Sequence, residues 1–177
     1  MGFAQGMDDI VEAASLLQQY PHIVFLFAGD GVMRDHVENK VNVLGLNNVR
    51  LLPTQPPDMY YNLLSASDVA LVPLRIELAT PVIPGKIQSI MAAGRPIICS
   101  ANPETDAIRL VREAQCGICV NAGDPSKIAE AIVTLYNDQA LSQKMGRHAR
   151  TYAEEHFDPK RCIQQYFDIL DKTINGN

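Results

Sequence analysis

The stretch TPVIPGKIQSIMAAGRP at positions 80–96 concentrates residue types that can hold an anion. Pro84 and Gly85 precede a helical pattern whose first N–H groups lack partners within the helix. Such a terminus favours negative charge by ~0.3 to 1 kcal/mol when exposed. Lys86 falls in the first turn, where a cation opposes the helix dipole. The placement makes sense if a phosphate sits between the ammonium and the backbone amides; the competing reading is a solvated surface lysine on an ordinary helix. Ser89, one turn further on, can present its hydroxyl toward the same end. Gly2-Phe-Ala-Gln5-Gly could bring backbone amides close to a ligand, with Gln5 as donor and acceptor, or it is a flexible stretch. Thr54 and Gln55 follow a strand-like run and could read a base edge; a plain turn fits them equally.

Other chemistries find little support. Gly29-Asp30-Gly31 is followed by Arg34 where a dinucleotide fingerprint needs its third glycine, so that motif is absent and Asp30 is expected to cap the next helix. Cys116-Gly-Ile-Cys119 is a single CxxC inside an apolar run that reads as a buried strand. Residues three apart in a strand point to opposite faces. Cys99, Cys116, Cys119 and Cys162 therefore read as small hydrophobes in a reducing cytosol. His22, His36, His148 and His156 show no metal-ligand spacing, and Glu77 and Glu104 form no pair that spacing alone supports. No catalytic residue and no metal ligand is assigned.

The 177 residues suit one sizeable domain, and 47% hydrophobic with 20% charged residues is an ordinary globular balance. Fifteen Lys+Arg against 20 Asp+Glu leave a net charge of -5, which argues against a nucleic-acid-binding domain. No apolar run approaches a membrane span, and the first residues lack a signal-peptide pattern.

Helical periodicity alternates with short apolar runs along the chain. Helices are expected over 8–20, from Met33 to Leu44, around Met59–Leu64, and over 86–93 and 105–114. Further helices are expected from Pro125, over about 140–155 and over 159–174. Strands are expected over 22–29, 48–52, 68–73, 96–100 and 117–120. Gly45 and Gly94 stop helices, and Asp124-Pro125 starts one. The pattern predicts an α/β fold: a Rossmann-like, doubly wound parallel sheet with a C-terminal helical tail. Ligands of such folds bind beyond the carboxyl ends of the strands. Those ends lead into the loops 29–31, 53–58, 74–85 and 100–104, with 2–7 ahead of the first helix.

The succession GxxQG, FAGDG, NVRLLPxQP, SDVALVP, PxKIxxxMAAGRPII, AGDP, MGRxARxY and EEHF, spanning about Gly2 to Phe157, resembles the C-terminal, donor-binding domain of a group 1 (GT4-type) glycosyltransferase of GT-B architecture. Within that family the chain is most similar to sugar transferases of bacterial polysaccharide and O-antigen synthesis that carry PSKxxExMAAG. The resemblance implies retaining hexosyl or N-acetylhexosaminyl transfer from a UDP- or GDP-linked sugar in cell-surface polysaccharide synthesis. It implies that Ile83, Pro84 and Gly85 supply amides to the diphosphate and Lys86 a cation. Ser89 would stand where a glutamate usually meets the ribose. Gly2 and Gln5 would approach the phosphates, and Thr54 and Gln55 would lie beside the base. No separate cofactor is implied.

The chain departs from the family pattern in three ways. Pro81 and Ser89 replace the glutamates of the ExxxxxxxE motif, and a serine cannot act as a carboxylate. The N-terminal acceptor domain is absent, so the single domain over 1–177 is expected to bind a nucleotide-sugar weakly without turning it over. The chain starts after the family domain's first strand, which predicts a gap in the sheet, an altered strand order or a borrowed strand. The sequence thus reads as a fragment of a cytoplasmic protein whose parent works at the inner face of the membrane. Its expected partners are the donor, the missing domain and a second copy through the incomplete sheet. Two rivals stay open: a non-catalytic nucleotide-sugar or partner-binding module, and a GT-B protein of the UDP-sugar 2-epimerase kind.

Overall fold

Each short apolar run becomes a strand and each periodic stretch a helix. The computed structural model describes residues 1–77 and 83–175. The elements run α1 (Met7–Leu16), β1 (Phe25–Ala28), α2 (Arg34–Val43), β2 (Val49–Leu52), α3 (Pro57–Ala66) and β3 (Ala70–Pro73), then α4 (Gly85–Ala92), β4 (Ile97–Ala101), α5 (Asp106–Glu113), β5 (Gly117–Asn121), α6 (Pro125–Asn137), α7 (Gln139–His156) and α8 (Pro159–Asn175). The α/β class, the parallel strands and the helical tail are as expected.

The strand ladder is interrupted. β1 pairs with β2, Phe25 opposite Val49, while β3, β4 and β5 form a second sheet with Ala70 opposite Ile97 and Ile97 opposite Gly117. All these pairings are parallel, and a gap separates β1 from β3. β4 is buried along its whole length, as a strand between two neighbours and two helical layers must be. At its edge β5 opens on Gly117, because a Cβ there would collide with the Ile97 backbone.

One core packs α4, α5 and α7 against β3–β5 through Ile87, Met91, Ile108, Val111 and Ala149. A second packs α1 and α2 on β1 and β2, joined by Ile128 and Ala129 of α6. The two sheets are therefore tied together by α1 against α6 rather than by a shared ladder. α8 stands outside both cores, with Ile163, Tyr166, Phe167 and Ile174 exposed. Among the described residues no helix is long and apolar enough to cross a membrane.

The helix ends follow local chemistry. Asp124 accepts a hydrogen bond from the Lys127 N–H at 3.0 Å, and Gly45 and Gly94 end α2 and α4 at φ +59° and +65°. Asp30 is a correction. Its carboxylate accepts from the adjacent Gly31 N–H at 2.8 Å, and α2 starts at Met33 with no side-chain cap.

Candidate functional site

The carboxyl end of β3 is where the sequence candidates converge. Leu74 N–H donates to the Ser100 carbonyl at 2.7 Å, and Arg75 N–H donates to the Ala4 carbonyl at 3.1 Å. The Arg75 guanidinium lies 4.6 Å from the centre of the Phe3 ring. These contacts dock the Gly2–Gly6 segment beside the run that leads to α4. Within it, Gln5 N–H donates to the Gly2 carbonyl at 3.1 Å and Met7 N–H to the Gln5 carbonyl at 2.9 Å.

α4 starts at Pro84, whose φ of -60° and ψ of 128° set the entry to the helix. The expectation that Pro84 donates an amide is corrected here, because proline has no N–H. Ile87 N–H is already bonded to the Pro84 carbonyl at 2.9 Å. Gly85 and Lys86 contribute the terminal N–H groups that have no intrahelical acceptor. Ile83 precedes them and is exposed. Pro81 lies outside the described residues.

Lys86 is partly buried, and none of the ion pairs among the described residues includes it. Burial pushes its ammonium down to about 8, with Cys99 weakly opposing the shift. A solvated surface lysine would show no such depression. Lys86 lines a cavity of about 730 Å³, together with Gln5 and Tyr60. An anion arriving here would supply a counter-charge that the described residues do not.

Ser89 is half-buried, one turn along α4, beside the Tyr60 phenol of α3. Burial raises the Tyr60 pKa and Ser89 partly offsets the rise, so Tyr60 is a neutral donor at physiological pH. Thr54 and Gln55 sit past β2, on the other sheet. Gln55 donates its side-chain amide to the Pro53 carbonyl at 2.8 Å, and neither residue lines the cavity that holds Gln5 and Lys86.

Three residues that make tertiary contacts, one of them at the cavity, were not visible in the sequence. Arg34 donates to the Gly29 and Leu52 carbonyls at 2.7 and 2.9 Å and so fixes the ends of β1 and β2 together. Asp9, in the first turn of α1, accepts from Gly123 N–H at 2.9 Å. Tyr60 reaches the site from α3. All three act across contacts of long sequence separation, which no local pattern announces.

Cys99 and Cys116 are buried, Cys119 is half-buried, and all four cysteines are free thiols. Burial pushes Cys99 and Cys116 up to about 12, which suits inert core residues. Among the described residues no cluster of His, Cys, Asp or Glu could hold a metal ion.

The profile of the family described as "Glycosyl transferases group 1" matches residues 2–138. The chain is 30% identical over 170 residues to the Escherichia coli (strain K12) protein named colanic acid biosynthesis glycosyl transferase WcaI, covering 96% of this chain and 41% of that one. It is 25% identical over 183 residues to N-acetyl-alpha-D-glucosaminyl L-malate synthase of Bacillus anthracis, covering 96% of this chain and 44% of the other. The chain thus spans less than half the length of these curated relatives. Among solved structures it superposes on Anabaena Alr3699/HepE in complex with UDP-glucose with a TM-score of 0.78 at 22% identity, over 96% of this chain and 46% of that one. It also superposes on the C-terminal domain of a group 1 family protein (LpcC) from Francisella tularensis with a TM-score of 0.73 at 18% identity, over 90% and 84% of the two chains.

Proposed function

The chain belongs to the group 1 glycosyl transferases, and from that premise we propose that it is the donor-binding half of such an enzyme. The observation that carries the reading is the start of α4, where the N–H groups of Gly85 and Lys86 meet a partly buried ammonium that forms no ion pair among the described residues. That arrangement fits the diphosphate of a nucleotide-sugar. Two linked phosphoryl groups would take the amides on one side and the Lys86 charge on the other, as charge-assisted bonds. Gln5 and the Gly2–Gly6 backbone lie near enough to β3's end to close over the same ligand. Thr54 and Gln55 are the candidate neighbours of the base.

UDP is the favoured nucleotide, because the HepE structure with TM-score 0.78 holds UDP-glucose. The parent reaction would be retaining transfer of a hexosyl or N-acetylhexosaminyl group in polysaccharide synthesis on the cytoplasmic side of a membrane. Transfer also needs an oriented acceptor and exclusion of water, which a second domain would provide. This chain's part is then to bind and orient the donor.

A second reading, a nucleotide-binding module without catalysis, is favoured by Ser89. It carries no charge, and it stands beside Tyr60. Titration calorimetry with UDP, UDP-glucose and GDP tests the first reading. Binding that weakens by ~1.5 to 3 kcal/mol in Lys86→Ala is expected. No heat at millimolar nucleotide would remove the site.

A further inference from the structure

Gly146 of α7 packs directly on Gly94, the residue that ends α4. A Cβ on Gly146 would collide with the Gly94 carbonyl oxygen, and one on Gly94 would meet the Arg150 Cβ at 3.6 Å. An arginine follows each glycine, so this backbone contact brings Arg95 and Arg147 to one place. Along α7, Gln143 and Arg147 stand four residues apart, as do Gly146 and Arg150, which puts them on one side of the helix. Arg95, Arg147 and Arg150 line a second cavity of about 420 Å³, and none of the three lines the larger cavity that holds Lys86. Asp68, just ahead of β3, and Pro96, just ahead of β4, also line it. The arginines therefore gather at the amino ends of these strands, whereas α4 starts from their carboxyl ends.

Three like charges gathered in a chain of net charge -5 need a physical account. Arg150 has one within the fold: its Nη1 donates to the Ala92 carbonyl at 2.5 Å and its Nε pairs with Glu154 at 2.6 Å, so it caps the end of α4. Arg95 is satisfied only in part. Its Nη2 donates to the Ser65 carbonyl, which fixes the guanidinium against the last turn of α3. Its Nε–H is buried and meets no acceptor among the described residues. Neither Arg95 nor the exposed Arg147 joins an ion pair among those residues, and Asp68 on the cavity wall reaches neither of them. A lysine in such a position can release its proton, but a guanidinium keeps its charge. An oxygen that accepts from Nε and brings negative charge would remove the cost of the unpaired donor.

We propose that this cavity is an oxyanion site that takes the phosphate group of a small phosphomonoester, with Arg95 Nε and the Arg147 guanidinium as its donors. The charge follows from the two arginines without a carboxylate partner, which a phosphate dianion balances. The shape follows from their origins. Arg95 comes from the turn after α4 and Arg147 from the middle of α7, so they approach from different directions. A tetrahedral phosphate offers acceptor oxygens in several directions, while a carboxylate holds its two in one plane. The size follows from the cavity, whose volume of about 420 Å³ suits a small molecule. Gln143 on the same wall offers an amide to the organic part of the ester. A nucleic acid backbone is disfavoured by the acidic balance of the chain. The site uses none of the residues assigned to the nucleotide-sugar, so it stands whatever ligand the start of α4 takes.

The test reads the Arg95 Nε–H directly by NMR of the nitrogen-15 labelled 177-residue chain. Its signal is the arginine Nε–H resonance lost in Arg95→Lys. Inorganic phosphate and methyl phosphate are titrated in turn, with chloride holding the ionic strength constant. A saturable shift of this signal in the millimolar range or below is the expected result. Arg147→Ala, at an exposed position, is expected to raise the midpoint by ~5-fold or more, and Lys86→Met to leave it in place. A shift that does not saturate, or that chloride alone reproduces, overturns the proposal. So does a midpoint that follows Lys86 and ignores Arg147. A shift with vesicles containing phosphatidic acid, and none with the soluble phosphates, overturns it in favour of a lipid surface. Should Arg95→Lys fail to fold, through-bond connection to the Arg95 backbone amide identifies the signal, and the titrations of the parent chain and Arg147→Ala decide.

Discussion

Asp9 in the first turn of α1 accepts a hydrogen bond at 2.9 Å from the backbone N–H of Gly123, which leads from β5 into α6. This bond clamps the helix pair that joins the two sheets. An acceptor carboxylate near a helix N-terminus is also favoured by the helix dipole. Asp9→Ala is expected to lower stability by ~1 to 2 kcal/mol, and Asp9→Asn by less, because the amide keeps an acceptor oxygen. Urea denaturation checks this through the midpoint at an unchanged slope. Equal midpoints for Asp9→Ala and the parent chain would mean that apolar packing of α1 on α6 holds the sheets together unaided.

Burial of the Lys86 ammonium costs stability. Its fall from 10.5 to about 8 corresponds to about 3 kcal/mol of unfavourable burial for the ammonium. Lys86→Met keeps the length of the stem and removes the charge. It is expected to stabilise the unliganded chain by ~1 to 3 kcal/mol while weakening UDP binding. Thermal melting with and without UDP checks both. A destabilised variant would show that the ammonium already has a partner in the folded chain.

The same group predicts two opposite pH slopes. Between pH 8 and 10.5 the unfolded chain holds the Lys86 proton and the folded chain has released it, so this group makes stability rise with pH across that window. A bound diphosphate favours the ammonium and raises its pKa, so UDP affinity is expected to fall as pH climbs above 8. Cys99 and Cys116, pushed up to about 12, keep their protons in the folded chain while unfolded thiols lose theirs above about 9. They therefore oppose the Lys86 stability slope in the upper part of the window. Nucleotide affinity compares two folded states and escapes that opposition. Calorimetry at pH 7, 8, 9 and 10 measures it. A flat profile would disconnect Lys86 from the phosphates.

Much of this architecture was legible in the residues. Asp124-Pro125 and the glycines at 45 and 94 mark helix ends by local chemistry, and they stand where that chemistry places them. Strand boundaries were less clear, because the run 22–29 is apolar throughout while only Phe25–Ala28 finds a pairing partner. Asp30 misled for a local reason: its carboxylate closes on the neighbouring N–H before it can reach a helix. The depressed Lys86 pKa could not be read from a sequence, since a residue type does not state its burial. Nor could the link from Arg34 to the Leu52 carbonyl, which depends on how β1 and β2 are brought side by side. The turn into α4 was readable as a pattern, while the count of N–H donors at Pro84 needed the observation that its ring occupies the nitrogen.

Thiol chemistry separates structural from reactive cysteines. Cys99 and Cys116 are buried with pKa values pushed up to about 12, Cys119 is half-buried with its thiol also raised, and Cys162 is exposed on α8. A thiol reagent at pH 7.5 is expected to label Cys162 alone in the folded chain and the other three only after denaturation. Rapid labelling of Cys116 and Cys119 together in the native state would reopen the CxxC pair as a redox site.

Ser89 offers the sharpest test of what the site does. It faces Tyr60, whose neutral hydroxyl can donate to a carboxylate. Ser89→Glu would therefore place a negative oxygen beside a ready donor on one side and, if the donor binds as proposed, beside the ribose hydroxyls on the other. A hydrogen bond from a ribose hydroxyl to a charged acceptor contributes roughly 1.5 to 3 kcal/mol, so UDP affinity is expected to rise by ~10-fold or more. The gain should vanish with 2′,3′-dideoxy-UDP, which has no hydroxyl to donate, while the diphosphate contribution of Lys86 stays. If the gain appears with both nucleotides, the carboxylate acts elsewhere. If neither binds more tightly, the α4 face around Ser89 does not meet a ribose, and the non-catalytic reading of this domain is the better one.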